Sequence, residues 1–212
     1  MKCQKKYMQL YAVTDRAWAK EQSLYEQVEA ALKGGVTAVQ LREKHLSEEE
    51  YIKEACEMKK LCAKYGVPLF INDNVKVALA CHADGIHVGQ NDMDPEEVRA
   101  LVGDDMMIGV SAHSVEEAQE AVRKGADCLG VGAAFATLTK SDAKVLPPDM
   151  LQAISKSVDV PIVAIGGINR DNLPQLAGTG ISGVALVSAI FAAKEIEQET
   201  RALFQMTEEL FG

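Results

Sequence analysis

The sequence predicts a (β/α)8 barrel, the TIM-barrel architecture, as a single domain over residues 1–212. Three observations lead there. Short apolar runs alternate with helical patterns from end to end, eight of each, the rhythm of parallel strands joined by crossover helices. Dividing 212 residues by eight gives 26.5 per unit, compact for this fold but inside its range. No linker, low-complexity tract or charge block interrupts the alternation; an open doubly wound sheet is the alternative that periodicity leaves, and the absence of the dinucleotide-binding glycine fingerprint favours the barrel over it.

The elements follow in order. Met8 to Val13 reads as the first strand, and Ser23 to Lys33 as a helix stopped by Gly34-Gly35. Ala38 to Lys44 is the second strand; Ser47 caps the next helix, with Glu50 three residues on completing a capping box, and Gly66 ends it. Pro68 to Ile71, Gly85 to Gly89 and Met107 to Val110 are strands three to five. The helices between them start at Val75 and at Asp94-Pro95, a cap followed by a first-turn proline. Ser114 with Glu117 predicts another capping box. Cys128 to Phe135 is strand six, Pro161 to Ile165 strand seven and Val184 to Val187 strand eight, with helices over Pro147 to Val158, Asp171 to Ala177 and Glu195 to Phe211.

Composition narrows the function. A net charge of −9 and a pI near 5.0 exclude the broad basic field of a nucleic-acid surface, so any anionic ligand must be held by a local cluster of cations. Five cysteines without a C-x-x-C pair suggest neither a zinc site nor a disulfide framework. No apolar run approaches the roughly 18 residues of a membrane span, and the N-terminus lacks a signal-peptide core. The expected location is cytoplasmic, the expected partners are small molecules, with no nucleic acid and no membrane, and a homo-oligomer is left open.

In a barrel, chemistry collects at the C-terminal ends of the strands. Within Val39 to Lys44 the side chains of Gln40, Arg42 and Lys44 share one face, a polar ladder about 13 Å long, while Val39 and Leu41 share the other. Arg42, Lys44 and Lys140 are cations suited to a polyphosphate. Asp73 and Asp92 end neighbouring strands and, with phosphate oxygens, suit Mg2+. Gly166-Gly167 and Val187-Ser188 occupy the loops where this fold binds phosphate through backbone N–H groups. Each element also has a plainer use: Asn72-Asp73, Asp92 and Ser188 suit helix caps, and the glycines suit tight turns. The histidines form no metal cluster; His45, His82 and His87 read as packing or surface, and His113 lies nearer a strand end. Cations, carboxylates and backbone donors, with no Ser-His-Asp arrangement, suit departure of an anionic leaving group such as a diphosphate.

Seven collinear segments, Val39-Gln40-Leu41-Arg42-Glu43-Lys44, Ile71 to Asn74, Asp84 to Asp92, Gly109 to His113, Thr137-Leu138-Thr139-Lys140, Ile165 to Ile168 and Val187 to Ile190, resemble the thiamine phosphate synthase family. The resemblance implies a Mg2+-dependent barrel transferase that joins hydroxymethylpyrimidine diphosphate to a thiazole phosphate or its carboxylated tautomer. By position it implies Gln40 as reader of the pyrimidine within a substrate-binding run that includes Leu41 and Glu43. It implies Arg42, Lys44, Asn72, Ser111 and Lys140 on the diphosphate, with Arg42, Lys44 and Lys140 catalytic, and Asp73 and Asp92 on the metal. Thr137, Leu138, Thr139, Gly167, Val187 and Ser188 would form the thiazole phosphate site. One departure stands out: where the family has prolines, this chain has Ala133 and Ala136, which loosens the loop that follows. A thiazole tautomerase of related fold and a non-catalytic sensor of thiamine intermediates are the competing expectations.

Overall fold

A computed structural model describes residues 2–19, 22–136, 144–147 and 149–212. Its strands are β1 (Leu10–Val13), β2 (Ala38–Leu41), β3 (Leu69–Asn72), β4 (Gly85–Val88), β5 (Met107–Ala112), β6 (Cys128–Gly132), β7 (Ile162–Ile165) and β8 (Gly183–Leu186). All neighbours pair in parallel, and β8 returns to β1, so the sheet closes in sequence order. The helices are α1 (Leu24–Gly34), α2 (Glu48–Lys64), α3 (Val75–Ala80), α4 (Pro95–Val102), α5 (Val115–Arg123), α6 (Met150–Ser157), α7 (Ser188–Phe191) and α8 (Ile196–Phe211). This is the (β/α)8 barrel that the alternation predicts. No helix among the described residues is long and apolar enough to cross a membrane.

The period-2 geometry of the strands builds two cores. Val39, Leu41, Ile71, Ile86 and Ile108 point outward against the helices, while Tyr11, Val13, Phe70, Met107, Cys128 and Val163 point inward and fill the barrel. Inside, Tyr11 and Phe70 meet as a tilted aromatic pair, 5.3 Å between centroids at 55°.

The helix starts follow local chemistry. Ser23 with Glu26 and Ser47 with Glu50 both close full capping boxes, and Asp94 accepts from the Glu96 N–H ahead of Pro95. The box expected at Ser114 is only half formed: Ser114 Oγ accepts from the Glu117 N–H, but the Glu117 carboxylate accepts from the N–H of His113 instead of the cap residue.

Several boundaries differ from expectation, each for a tertiary reason. The first strand begins at Leu10 because Lys5–Met8 forms a 3-10 turn that sets Met8, fully buried, against the inward core. The second strand ends at Leu41, since the Arg42 N–H turns to the Thr14 hydroxyl at 2.9 Å and leaves the ladder. The fifth strand runs two residues further, to Ala112, and the sixth stops at Gly132. Between Asp171 and Ala177 the chain makes only a 3-10 turn, Leu173–Leu176, while the unexpected short α7 follows the eighth strand.

Candidate active site

A cavity of about 640 Å³ opens at the C-terminal mouth of the barrel. Inward positions of the strands build its floor, and the loops after them build its walls. Tyr11, Gln40, Asn72, His87 and Ser111 line one side, and Ile165, Gly167, Val187 and Ser188 the other.

The floor is a hydrogen-bonded polar layer. Gln40, only 5% exposed, donates from Nε2 to the Tyr11 hydroxyl at 3.0 Å. Burial holds the Tyr11 phenol protonated, well above its ordinary range. The Gln40 amide is therefore fixed in orientation, as a reader of a polar heterocycle must be. Next to it, His87 Nε2 lies 3.1 Å from Ser111 Oγ, and Gln90 Nε2 donates to the Ser111 carbonyl at 2.6 Å. Burial pushes the His87 imidazole down to about 4, so it is neutral near pH 7.

The second-strand ladder bends as it leaves the sheet. Gln40 and Arg42 line the cavity. Lys44 lies outside the lining and binds Asp73 Oδ2 at 2.5 Å. Asp73 adopts a left-handed backbone, φ 61°, uncommon for a side chain with a Cβ, and its N–H is held by the His87 carbonyl at 2.9 Å. Asp92 accepts from the Gly89 N–H at 2.7 Å. Burial, and Asp73 within hydrogen-bond reach, raise the Asp92 carboxyl above its usual range, against the opposing pull of the Gly89 amide and Lys44.

Two carboxylates in contact repel unless a cation joins them. A pair of hard oxygen donors fits Mg2+, which takes one or two protein carboxylates and completes its shell with water and phosphate oxygens. Among the described residues no group of three or more His, Cys, Asp or Glu could hold a metal, so a cage of protein ligands alone is not offered.

On the far wall Gly166 and Gly167 take left-handed conformations, φ 100° and 64°. Added Cβ atoms there would strike Ala133 and the Ala136 carbonyl, so the loop packs too tightly for side chains. Asn172 Nδ2 donates to the Gly167 carbonyl at 2.9 Å. With Val187 and the start of α7 at Ser188, this loop forms the wall of the cavity at the ends of β7 and β8.

Two members of the expected substrate-binding run lie elsewhere. Leu41 is fully buried in the outward core, where strand alternation puts it, and cannot reach the cavity with its side chain. Glu43 turns to Arg16, which donates to it from Nε and a terminal nitrogen at 3.1 and 2.8 Å while also binding Glu54. Thr137, Leu138, Thr139 and Lys140 lie outside the described residues. The sequence reading missed Tyr11, His87 and Lys144, which all line the cavity. For His87 a signal was present: on the next two strands, Gly109 of β5 and Gly130 of β6 leave the space its ring fills.

Fold and site together define a phosphate-handling (β/α)8 barrel enzyme. Residues 10–190 match the family model described as thiamine monophosphate synthase. The thiamine-phosphate synthase of Clostridium acetobutylicum is 48% identical over 197 residues, covering 93% of each chain; that of Ruminiclostridium cellulolyticum is also 48% identical over 197, covering 93% of this chain and 94% of the other. The solved thiamine phosphate pyrophosphorylase of Pyrococcus furiosus superposes with a TM-score of 0.91 at 39% identity, over 98% of this chain and 99% of that one. The chain belongs to the thiamine monophosphate synthase family.

Proposed function

We propose that this chain is a transferase that condenses hydroxymethylpyrimidine diphosphate with a thiazole phosphate, or its carboxylated form, to give thiamine phosphate and pyrophosphate, the carboxyl group of the carboxylated form leaving as CO2. Family membership supports the reaction, and one observation carries its assignment to this site. A buried, oriented amide at Gln40 adjoins a cation at Arg42, and across the same cavity stands the glycine-lined anion wall. Such a mouth suits two phosphorylated substrates side by side.

In this reading Gln40 orients the pyrimidine, and Arg42, Lys44, Asn72, Ser111 and Lys140 bind the diphosphate. The carbon–oxygen bond breaks with its electron pair leaving on the diphosphate, and the thiazole nitrogen donates its lone pair to the pyrimidine carbocation. The chain's part is to place the two reactants and to stabilise the leaving charge. Asp73 and Asp92 would hold Mg2+, which when bound supplies positive charge to the leaving group. Gly167, Val187 and Ser188, with Thr137, Leu138 and Thr139, take the thiazole phosphate. The apolar side chains of Val163 and Ile165 in the lining limit the water that could capture the carbocation. The whole chain acts as one domain, in the cytoplasm, where its five thiols remain reduced.

Incubation with both substrates and Mg2+, followed by pyrophosphate release and thiamine phosphate formation, tests the proposal. Absence of product with either thiazole form would sink it.

A further inference from the structure

His87 has no task in the mechanism above, yet the barrel makes room for it at two places. A Cβ at Gly109 would lie 2.5 Å from Nδ1, and one at Gly130 would lie 3.1 Å from Cε1. Two strands thus forgo side chains so that one ring can lie flat across them, which fixes its position. Nε2 is 3.1 Å from Ser111 Oγ, while Nδ1 is buried with no hydrogen-bond partner among the described residues.

A neutral imidazole carries its hydrogen on one nitrogen and a lone pair on the other. A buried N–H without an acceptor is the rarer and costlier orphan, so the hydrogen belongs on Nε2. Ser111 Oγ then accepts from His87 and keeps its own proton to give. Both residues line the cavity, and the Ser111 carbonyl is already engaged by Gln90. In the opposite tautomer Ser111 would give its proton to Nε2 and turn lone pairs toward the ligand.

We propose that His87 is a positioning residue that sets the Ser111 hydroxyl as a hydrogen-bond donor to a phosphate oxygen of the anionic substrate. The inference rests on the diphosphate reading of this site. Its mark is coupling: deleting either member deletes the same hydrogen bond to the ligand.

The test compares His87→Phe, His87→Gln, His87→Asn, Ser111→Ala and the double variant His87→Phe with Ser111→Ala. Turnover is measured with both substrates, affinity with inorganic pyrophosphate, and folding by thermal melting. His87→Phe and Ser111→Ala should each lower kcat about tenfold, the loss of one hydrogen bond to an anion. The double variant should fall no more than about twofold below the worse single one. His87→Gln, whose amide nitrogen reaches the place of Nε2, should recover most of the loss, and the shorter His87→Asn should not. Losses that multiply in the double variant overturn the proposal, as does a folded His87→Phe protein with unaltered kcat. Where the Phe variant does not fold, equal turnover of the Gln and Asn variants overturns it. If the parent makes no product, the reaction assignment fails by itself. The coupling is then read from pyrophosphate affinity, where additive losses overturn it and shared losses sustain it.

Discussion

Asp92→Asn separates a ligand-holding carboxylate from a structural one. The substitution keeps the shape and leaves an amide oxygen to accept from the Gly89 N–H, now 2.7 Å from Asp92 Oδ2. It removes a carboxyl that burial and the neighbouring Asp73 carboxylate raise above its usual range. The hydrogen bond retained is worth about 1 kcal/mol and the repulsion relieved is of similar size, so unfolding stability should stay within about 1 kcal/mol of the parent, with any change a gain. Turnover should respond in the other direction. With Asp73 and Asp92 holding Mg2+ as proposed, losing one of the two is expected to lower kcat about a hundredfold, with the Mg2+ concentration for half-maximal rate rising by tenfold or so. Urea unfolding without metal and initial rates across a Mg2+ titration measure the two quantities. A loss of more than about 2 kcal/mol would make Asp92 a structural residue. Parent-like turnover with a parent-like Mg2+ titration would remove it from the metal site.

Three further outcomes are expected. Arg99→Ala breaks bonds to the carbonyls of Gly103, Met106 and Gly125 and to Asp127 at the opposite end of the barrel, so it should cost about 2–4 kcal/mol in urea unfolding with kcat preserved in the folded fraction; a cost below about 1 kcal/mol would refute this account of the network. Gly109→Ala forces a methyl to within 2.5 Å of His87 Nδ1, and should lower stability by about 1–3 kcal/mol and impair turnover together, whereas a neutral effect would show the ring is free to move aside. Glu50 is held below its ordinary value by the hydroxyl and N–H of Ser47; the stability it gives is present above the ordinary glutamate range and lost as pH falls through the lowered value. Glu50→Gln should therefore flatten the acid side of the stability profile, and an unaltered profile would show that the capping box contributes nothing there.

The barrel was legible because its determinants are local and repeated. Capping pairs such as Ser47 with Glu50 and the alternation within Val39 to Leu41 announce each unit without reference to its neighbours. Strand parity also exposed Gln40 and Arg42 as cavity-facing. It failed for Lys44 because the backbone leaves the sheet at Arg42, and alternation has no force outside a ladder. Reading motifs as continuous runs brought in Leu41 and Glu43, which the fold turns to the outer core and to Arg16. His87 was read as packing because its significance depends on glycines 22 and 43 residues further along the chain, at Gly109 and Gly130.

By itself, then, the sequence determined the alternation of strands and helices, the end of the barrel at which polar residues gather, and the resemblance that names the chemistry. Periodicity and capping act over a few residues, and they survive without a partner. Tertiary structure alone decided the closure of β8 on β1, the meeting of Lys44 with Asp73 and of Asp73 with Asp92, and the seating of His87 against Ser111. These contacts join residues 19 to 29 positions apart, or opposite ends of the chain, and only the twist and curvature of a closed sheet bring them within bonding distance.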